Sequence, residues 1–146
     1  MDGVHPTHAV RFACGWIKKG LRKEIPTNGS QKRLNILGAV NAITQNINFM
    51  TNETYINAET VIQFLYQLRI YYFDMKPIYI VLDNARYQHC DLVRYTAWTL
   101  GIKLVFLPPY SPNLNPVERL WKFMKKKVTA NRYFEHFDDF KNELME

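Results

Sequence analysis

Asp83 and Glu118 carry carboxylates at places where the chain changes its character. Asp83 ends the apolar run IYIVL, Glu118 stands just inside a segment opened by Asn115-Pro116, and 34 residues lie between them. That stretch is long enough for one helix, one strand and a proline-rich turn, so a crossover can bring the second acid back beside the first. Carboxylates at a strand end and a helix start are hard oxygen donors for divalent cations. Two such cations about 3.5–4 Å apart are a common device for cutting a phosphodiester. Each acid also has a purely structural use. An Asp after a strand is often a turn former. Glu118, three residues after Asn115, fits a capping box or a surface pair with Lys122 or Lys125. Spacing alone leaves these uses open.

The elements that would position the two acids follow from periodicity. Residues 33–40 (RLNILGAV) and 42–50 (AITQNINFM) are β-rich and read as antiparallel strands or one bent strand. Asn57 then precedes Val61, Phe64, Leu65 and Leu68, the apolar spacing of an amphipathic helix with an Asn cap, which should end before Pro77. Ile78–Leu82 is a continuous apolar run, expected to be a strand buried on both faces. Residues 92–100 have helical spacing and stop at Gly101, and 102–107 form a second buried strand running into Pro108-Pro109. After Asn115, a cap followed by proline at the first helical position, Val117, Leu120, Trp121, Met124 and Val128 make one apolar stripe. A short helix over 137–144 closes the chain. The expected class is α/β, with an antiparallel front half and a parallel back half.

Composition sets limits on the function. A single domain over residues 1–146 is expected, and 47% hydrophobic with 14% aromatic residues is enough for a packed core. A net charge of +6 favours a polyanionic partner. Cys14 and Cys90 have no metal-ligand spacing, so neither a disulfide framework nor a zinc site is expected. With no long apolar run and no signal-like N-terminus, a soluble, cytoplasmic protein is expected, without a membrane partner.

The stretches VLDNARYQHC and IKLVFLPPYSPNLNPVERLWKFMKKKV resemble the catalytic core of the insertion-sequence branch of the mariner transposase superfamily. The block LPPYSPNLNPVERLW is the most specific part, and MDGVHPTH, GWIKKG and RLNILGAV are similar to earlier segments of that family, so the likeness covers nearly the whole chain. It implies a ribonuclease-H-like fold with a mixed sheet flanked by helices, and an Asp, Asp, Glu triad that maps onto Asp2, Asp83 and Glu118. The same three residues would be the metal ligands, holding Mg2+ or Mn2+, two ions, for strand cleavage and strand transfer in DNA transposition. It also implies DNA as the partner, both transposon ends and target, a homodimer on paired ends, no small-molecule substrate, and a nucleoid-associated location.

Two departures stand out. Many relatives have a His five residues after the second Asp, where this chain has Gln88 and then His89. His5 and His8 near Asp2 are assigned no metal. The family's first Asp ends a central strand, but only Met1 precedes Asp2 here, so the first strand is expected to be largely missing and Asp2 weakly anchored. A helix-turn-helix DNA-binding region is not found. The chain therefore reads as the downstream part of a longer or split transposase, or a decayed copy, with weak or no activity.

Lys18, Lys19, Arg22 and Lys23 form one basic group, and Arg119, Lys122, Lys125 and Lys126 follow Glu118 in another. Both are candidates for gripping phosphates, against the alternative of a solvated face. Tyr87 and Tyr110 could stack on bases, while Trp121, on the apolar stripe, is expected in the core. Two other functions stay open: a catalytically inactive remnant serving as a DNA-binding or protein-interaction module, and a structure-selective nuclease on the same fold.

Overall fold

The structure, a computed structural model, describes residues 1–75, 77–109 and 114–146. Tyr110 and most of the proline-rich turn before Asn115 lie outside the described residues. The strands are β1 (Asp2–Val4), β2 (Asn35–Val40), β3 (Ile47–Asn52), β4 (Ile78–Leu82) and β5 (Ile102–Phe106). The helices are α1 (Ala58–Tyr71), α2 (Asp91–Thr99), α3 (Pro116–Met124) and α4 (Phe137–Met145).

β2 and β3 form the expected antiparallel hairpin. Its turn starts at Asn41, whose side chain accepts bonds from the amides of Ile43 and Thr44 at 2.9 and 3.0 Å. β1 pairs antiparallel with β2, placing Asp2 opposite Gly38. β4 and β5 pair in parallel, Ile78 opposite Ile102, with α2 as the crossover. Among the described residues the two sheets meet at one bond, from the Met1 amine to the carbonyl oxygen of Val81 at 2.6 Å. Across this seam the strands read β3-β2-β1-β4-β5.

The expectation of a poorly anchored Asp2 needs correction. β1 has three residues, but Met1 is only 5% exposed and belongs to the core formed by Leu37, Phe64, Leu65, Ile80 and Leu82. Apolar burial and the bond to Val81 hold the start of the chain in place of strand length.

α1 begins as its sequence suggests. The Asn57 side chain accepts from Thr60 N at 2.9 Å, and Thr60 Oγ1 accepts from Asn57 N, a closed capping box. α1 and α2 cover one face of the sheet. α3 and α4 cover the other with Val4, Leu34, Ile36, Val117, Trp121, Phe137 and Phe140. Here Gly38 is essential to the packing: a Cβ at this position would lie 2.6 Å from the Trp121 ring. The helix can therefore lie directly on β2.

Two further expectations fail. β4 and β5 are buried on one face only. Tyr79 is 62% and Val81 40% exposed, with Lys103 and Val105 beside them, because α3 and α4 reach only as far as β1 and β2. The apolar stripe expected to run to Val128 is also broken. α3 ends at Met124, and Lys125–Thr129 make a wider π-helical turn, with Thr129 Oγ1 bonding back to the carbonyl of Lys125 at 2.8 Å. Among the described residues no helix is long and apolar enough to cross a membrane. Both cysteines are free.

Candidate active site

The seam between the two sheets places the acids. Asp2 directly follows Met1, and Asp83 directly follows Leu82, the residue after Val81, so the Met1–Val81 bond brings both carboxylates to the same sheet edge. Glu118 comes from above. Trp121 rests on Gly38, the register partner of Asp2, and Glu118 stands one helical turn before Trp121.

The electrostatics show the same neighbourhood. The Asp2 carboxyl is pushed up to about 6, first by burial and then by the charge of Asp83, with a smaller push from Glu118. The Gly3 amide, 2.8 Å from Asp2 Oδ1, opposes this. The Met1 ammonium is lowered to about 6 by burial, partly offset by Asp2 and Asp83. Tyr87 belongs to the same cluster. Its phenol is raised by burial and then by Asp83 and Asp2, and its oxygen would lie 3.6 Å from a Cβ on Gly3. Tyr87 therefore lies against the acids, and nothing in its spacing had indicated this.

The structural alternatives for the acids are taken up only in part. Asp83 does act as a weak turn former, accepting from Ala85 N at 3.4 Å. Among the described residues Glu118 makes no ion pair with Lys122 or Lys125, and the Asn115 cap bonds Val117 N instead of closing a box with Glu118. Glu118 is thus a half-buried carboxylate with neither duty.

The donors present suit a divalent ion: three hard carboxylates, two of them raising the pKa of the third, with no lysine or arginine among the described residues in an ion pair with them. Among the described residues no three His, Cys, Asp or Glu side chains stand close enough together to enclose one ion. Asp2 nonetheless feels the charges of both Asp83 and Glu118.

The imidazoles have other duties. His5 bonds Asn35 Oδ1 at 2.7 Å, and buried His8 bonds the carbonyl of Phe134 at 2.9 Å. Gln88, where many relatives carry His, is fully buried beside Tyr87. His89 stacks on Phe106 with ring centres 4.1 Å apart. Trp121 is core, at 7% exposure.

Lys18, Lys19, Arg22 and Lys23 are exposed on the extended segment 9–33, whose base is tied to the end of the π turn. Arg11 bridges to Ala130, and the Asn131 side chain bonds both the amide and the carbonyl of Ala13 at 2.8 and 3.0 Å. Arg119, Lys122 and Lys126 are exposed and Lys125 half-buried. The two basic groups are therefore joined through one junction.

An α/β core of this strand order is the ribonuclease-H-like architecture. The profile of the DDE superfamily endonuclease family matches residues 1–141, and the chain belongs to that family. It is 24% identical over 122 residues to the insertion element IS630 39 kDa protein of Shigella sonnei, covering 83% of this chain and 35% of that protein. The Mos1 mariner paired-end complex with Mn superposes with a TM-score of 0.76 at 17% identity, over 99% of this chain and 45% of that one. The catalytic domain of Mos1 mariner transposase superposes at 0.61 and 18% identity, over 98% and 66%. The chain thus spans about a third to two thirds of the proteins it matches. It is a DDE endonuclease-family domain with the fold of the Mos1 catalytic domain.

Proposed function

We propose that residues 1–146 are the catalytic domain of a cut-and-paste transposase, and that Asp2, Asp83 and Glu118 hold Mg2+ or Mn2+, two ions, for DNA strand cleavage and strand transfer. The observation that carries this reading is the Asp2 carboxyl, raised first by burial and then by the charge of Asp83, with a smaller push from Glu118, in a chain of the DDE endonuclease family. Mos1 complexes with Mn and with Mg support the choice of ion. Bound there, a divalent ion would lower the pKa of an attacking water or 3′-hydroxyl and offset charge on the phosphoryl oxygens.

The chain's own residues do the rest. Asp2, Asp83 and Glu118 would hold the ions from two strands and a helix start, with Tyr87 beside Asp2 and Asp83. Lys18, Lys19, Arg22, Lys23, Arg119, Lys122, Lys125 and Lys126 hold backbone phosphates on either side of the cut, which fixes register without reading sequence. The partner is DNA, both transposon ends and target, as in the Mos1 complex with its left transposon end. Assembly is as a homodimer. Exposed Phe12, Trp16, Ile17 and Leu21 on segment 9–33 fit a surface that meets another chain. The protein works on the cytoplasmic nucleoid.

The test is incubation with Mn2+ and two DNAs, one carrying the element's inverted-repeat ends and one plain plasmid. Cleavage at the ends that Glu118→Gln removes is the expected result. Nicking of both DNAs alike would point instead to a general nuclease, and retained binding without cutting to a DNA-binding remnant.

A further inference from the structure

Four polar groups beside Asp83 form a chain in which each donor and acceptor can be assigned. Asn84 Nδ2 donates to the carbonyl of Leu107 at 2.5 Å, which leaves Asn84 Oδ1 as an acceptor. His89 Nε2 stands 3.2 Å from that oxygen and must carry the proton. His89 Nδ1 is then free to accept from Arg94 Nη2, 3.3 Å away. The sequence of bonds is consistent with the neutral Nε2–H tautomer. The imidazole is further held by its stack on Phe106, and the Arg94 guanidinium lies 5.9 Å from the same ring.

The chain ties the Asp83 turn to the end of β5. Asn84 is the neighbour of Asp83. Leu107 is the first residue after β5, and its amide bonds the carbonyl of Leu82 at 2.8 Å. Both polar groups of the Leu107 peptide unit region are therefore tied to residues flanking Asp83, one by backbone and one by the Asn84 side chain. Arg94 extends the tie to α2.

We propose that Asn84 is a positioning residue: with His89 and Arg94 it clamps the turn carrying Asp83 to the exit of β5, and so holds the Asp83 carboxylate where a metal ion would need it. This rests on the reading of Asp2, Asp83 and Glu118 as one metal site. These bonds are exposed and each is modest alone; the clamp's strength comes from one side chain closing two contacts over a stacked ring. Residues outside the ligand shell that orient ligands commonly change metal affinity by 10–100-fold when removed.

The test is Mn2+ titration of the full chain by calorimetry, with thermal midpoints measured in EDTA. Wild type binds Mn2+, and Asp83→Ala loses it. Asn84→Ala and His89→Ala each bind about tenfold more weakly, and the double variant no more weakly than the worse single. His89→Gln, which keeps an N–H donor toward Asn84, retains most of the affinity. Asn41→Ala, which removes a comparably bonded Asn from the hairpin turn, lowers the midpoint and leaves affinity unchanged. Wild-type affinity in Asn84→Ala, or in His89→Ala should the former not fold, would overturn the positioning role while leaving the metal site intact. Absence of any Mn2+ binding that depends on Asp83 would overturn the site and the clamp with it.

Discussion

The two halves of the sheet are built on different terms. Over β1 and β2, both faces are covered, and Trp121 comes so close that only glycine fits beneath it at position 38. Over β4 and β5, one face packs against α1 and α2 while Tyr79, Val81 and Val105 remain exposed on the other. The acids sit where these halves meet, Asp2 from the closed half and Asp83 from the half-open one, with Glu118 carried by the helix that closes the first. Packing of the closed half therefore decides where Glu118 lies, whereas the β4–β5 half needs only its inner face to present Asp83.

The largest effects should come from the closed half. Trp121→Ala should cost about 3–5 kcal/mol, and Gly38→Val about 1–3 kcal/mol or more by overpacking, both read by chemical denaturation. Tyr79→Ser on the open face should stay within about 0.5 kcal/mol. Equal losses in the two halves would remove the distinction.

The seam itself should leave a signature in pH. In metal-free protein the Asp2 carboxyl is held near 6 against its ordinary 3.8, so the fold binds that proton more tightly and loses stability as pH rises between these values. The Met1 ammonium is lowered from 8.0 to about 6, so the unfolded chain binds that proton more tightly and stability returns as pH rises from 6 to 8. Denaturation in EDTA should therefore show a local minimum near pH 6, sharpening the seam as the strained element. A monotonic profile would break it.

The smallest effects concern the two basic groups. Replacing Lys19 or Lys122 by Ala should weaken DNA binding uniformly across sequences and reduce the dependence of log affinity on log salt by about one unit each. An effect confined to one group would show that segment 9–33 and α3 do not face the same duplex.

Much of this was legible beforehand for local reasons. Asn57 with Thr60, Asn115 with Pro116, and the run IYIVL each specify an element through nearby residues alone, and the structure follows them closely. That Asp83 and Glu118 could be brought together was suggested by the crossover length, and a part for Asp2 only by resemblance; what the structure adds is that Asp2 feels both charges. What was not legible depends on contacts far apart in sequence. Nothing near Tyr79 or Val105 says that α3 stops short of them, since that is decided by Trp121 finding Gly38. Nothing near Met1 says that Val81 will receive its amine. Tyr87 and Asn84 lie in a turn whose sequence reads as connection, and their roles appear only when β1 and residue 107 are brought alongside.

The central claim is that Asp2, Asp83 and Glu118 face one another across the seam. Carbon-detected NMR titration of the Asp2 carboxyl in EDTA tests it most directly. The account predicts a midpoint near 6 that moves down in Asp83→Asn and, by less, in Glu118→Gln, with burial keeping it above the ordinary value. A midpoint that neither substitution moves would contradict it.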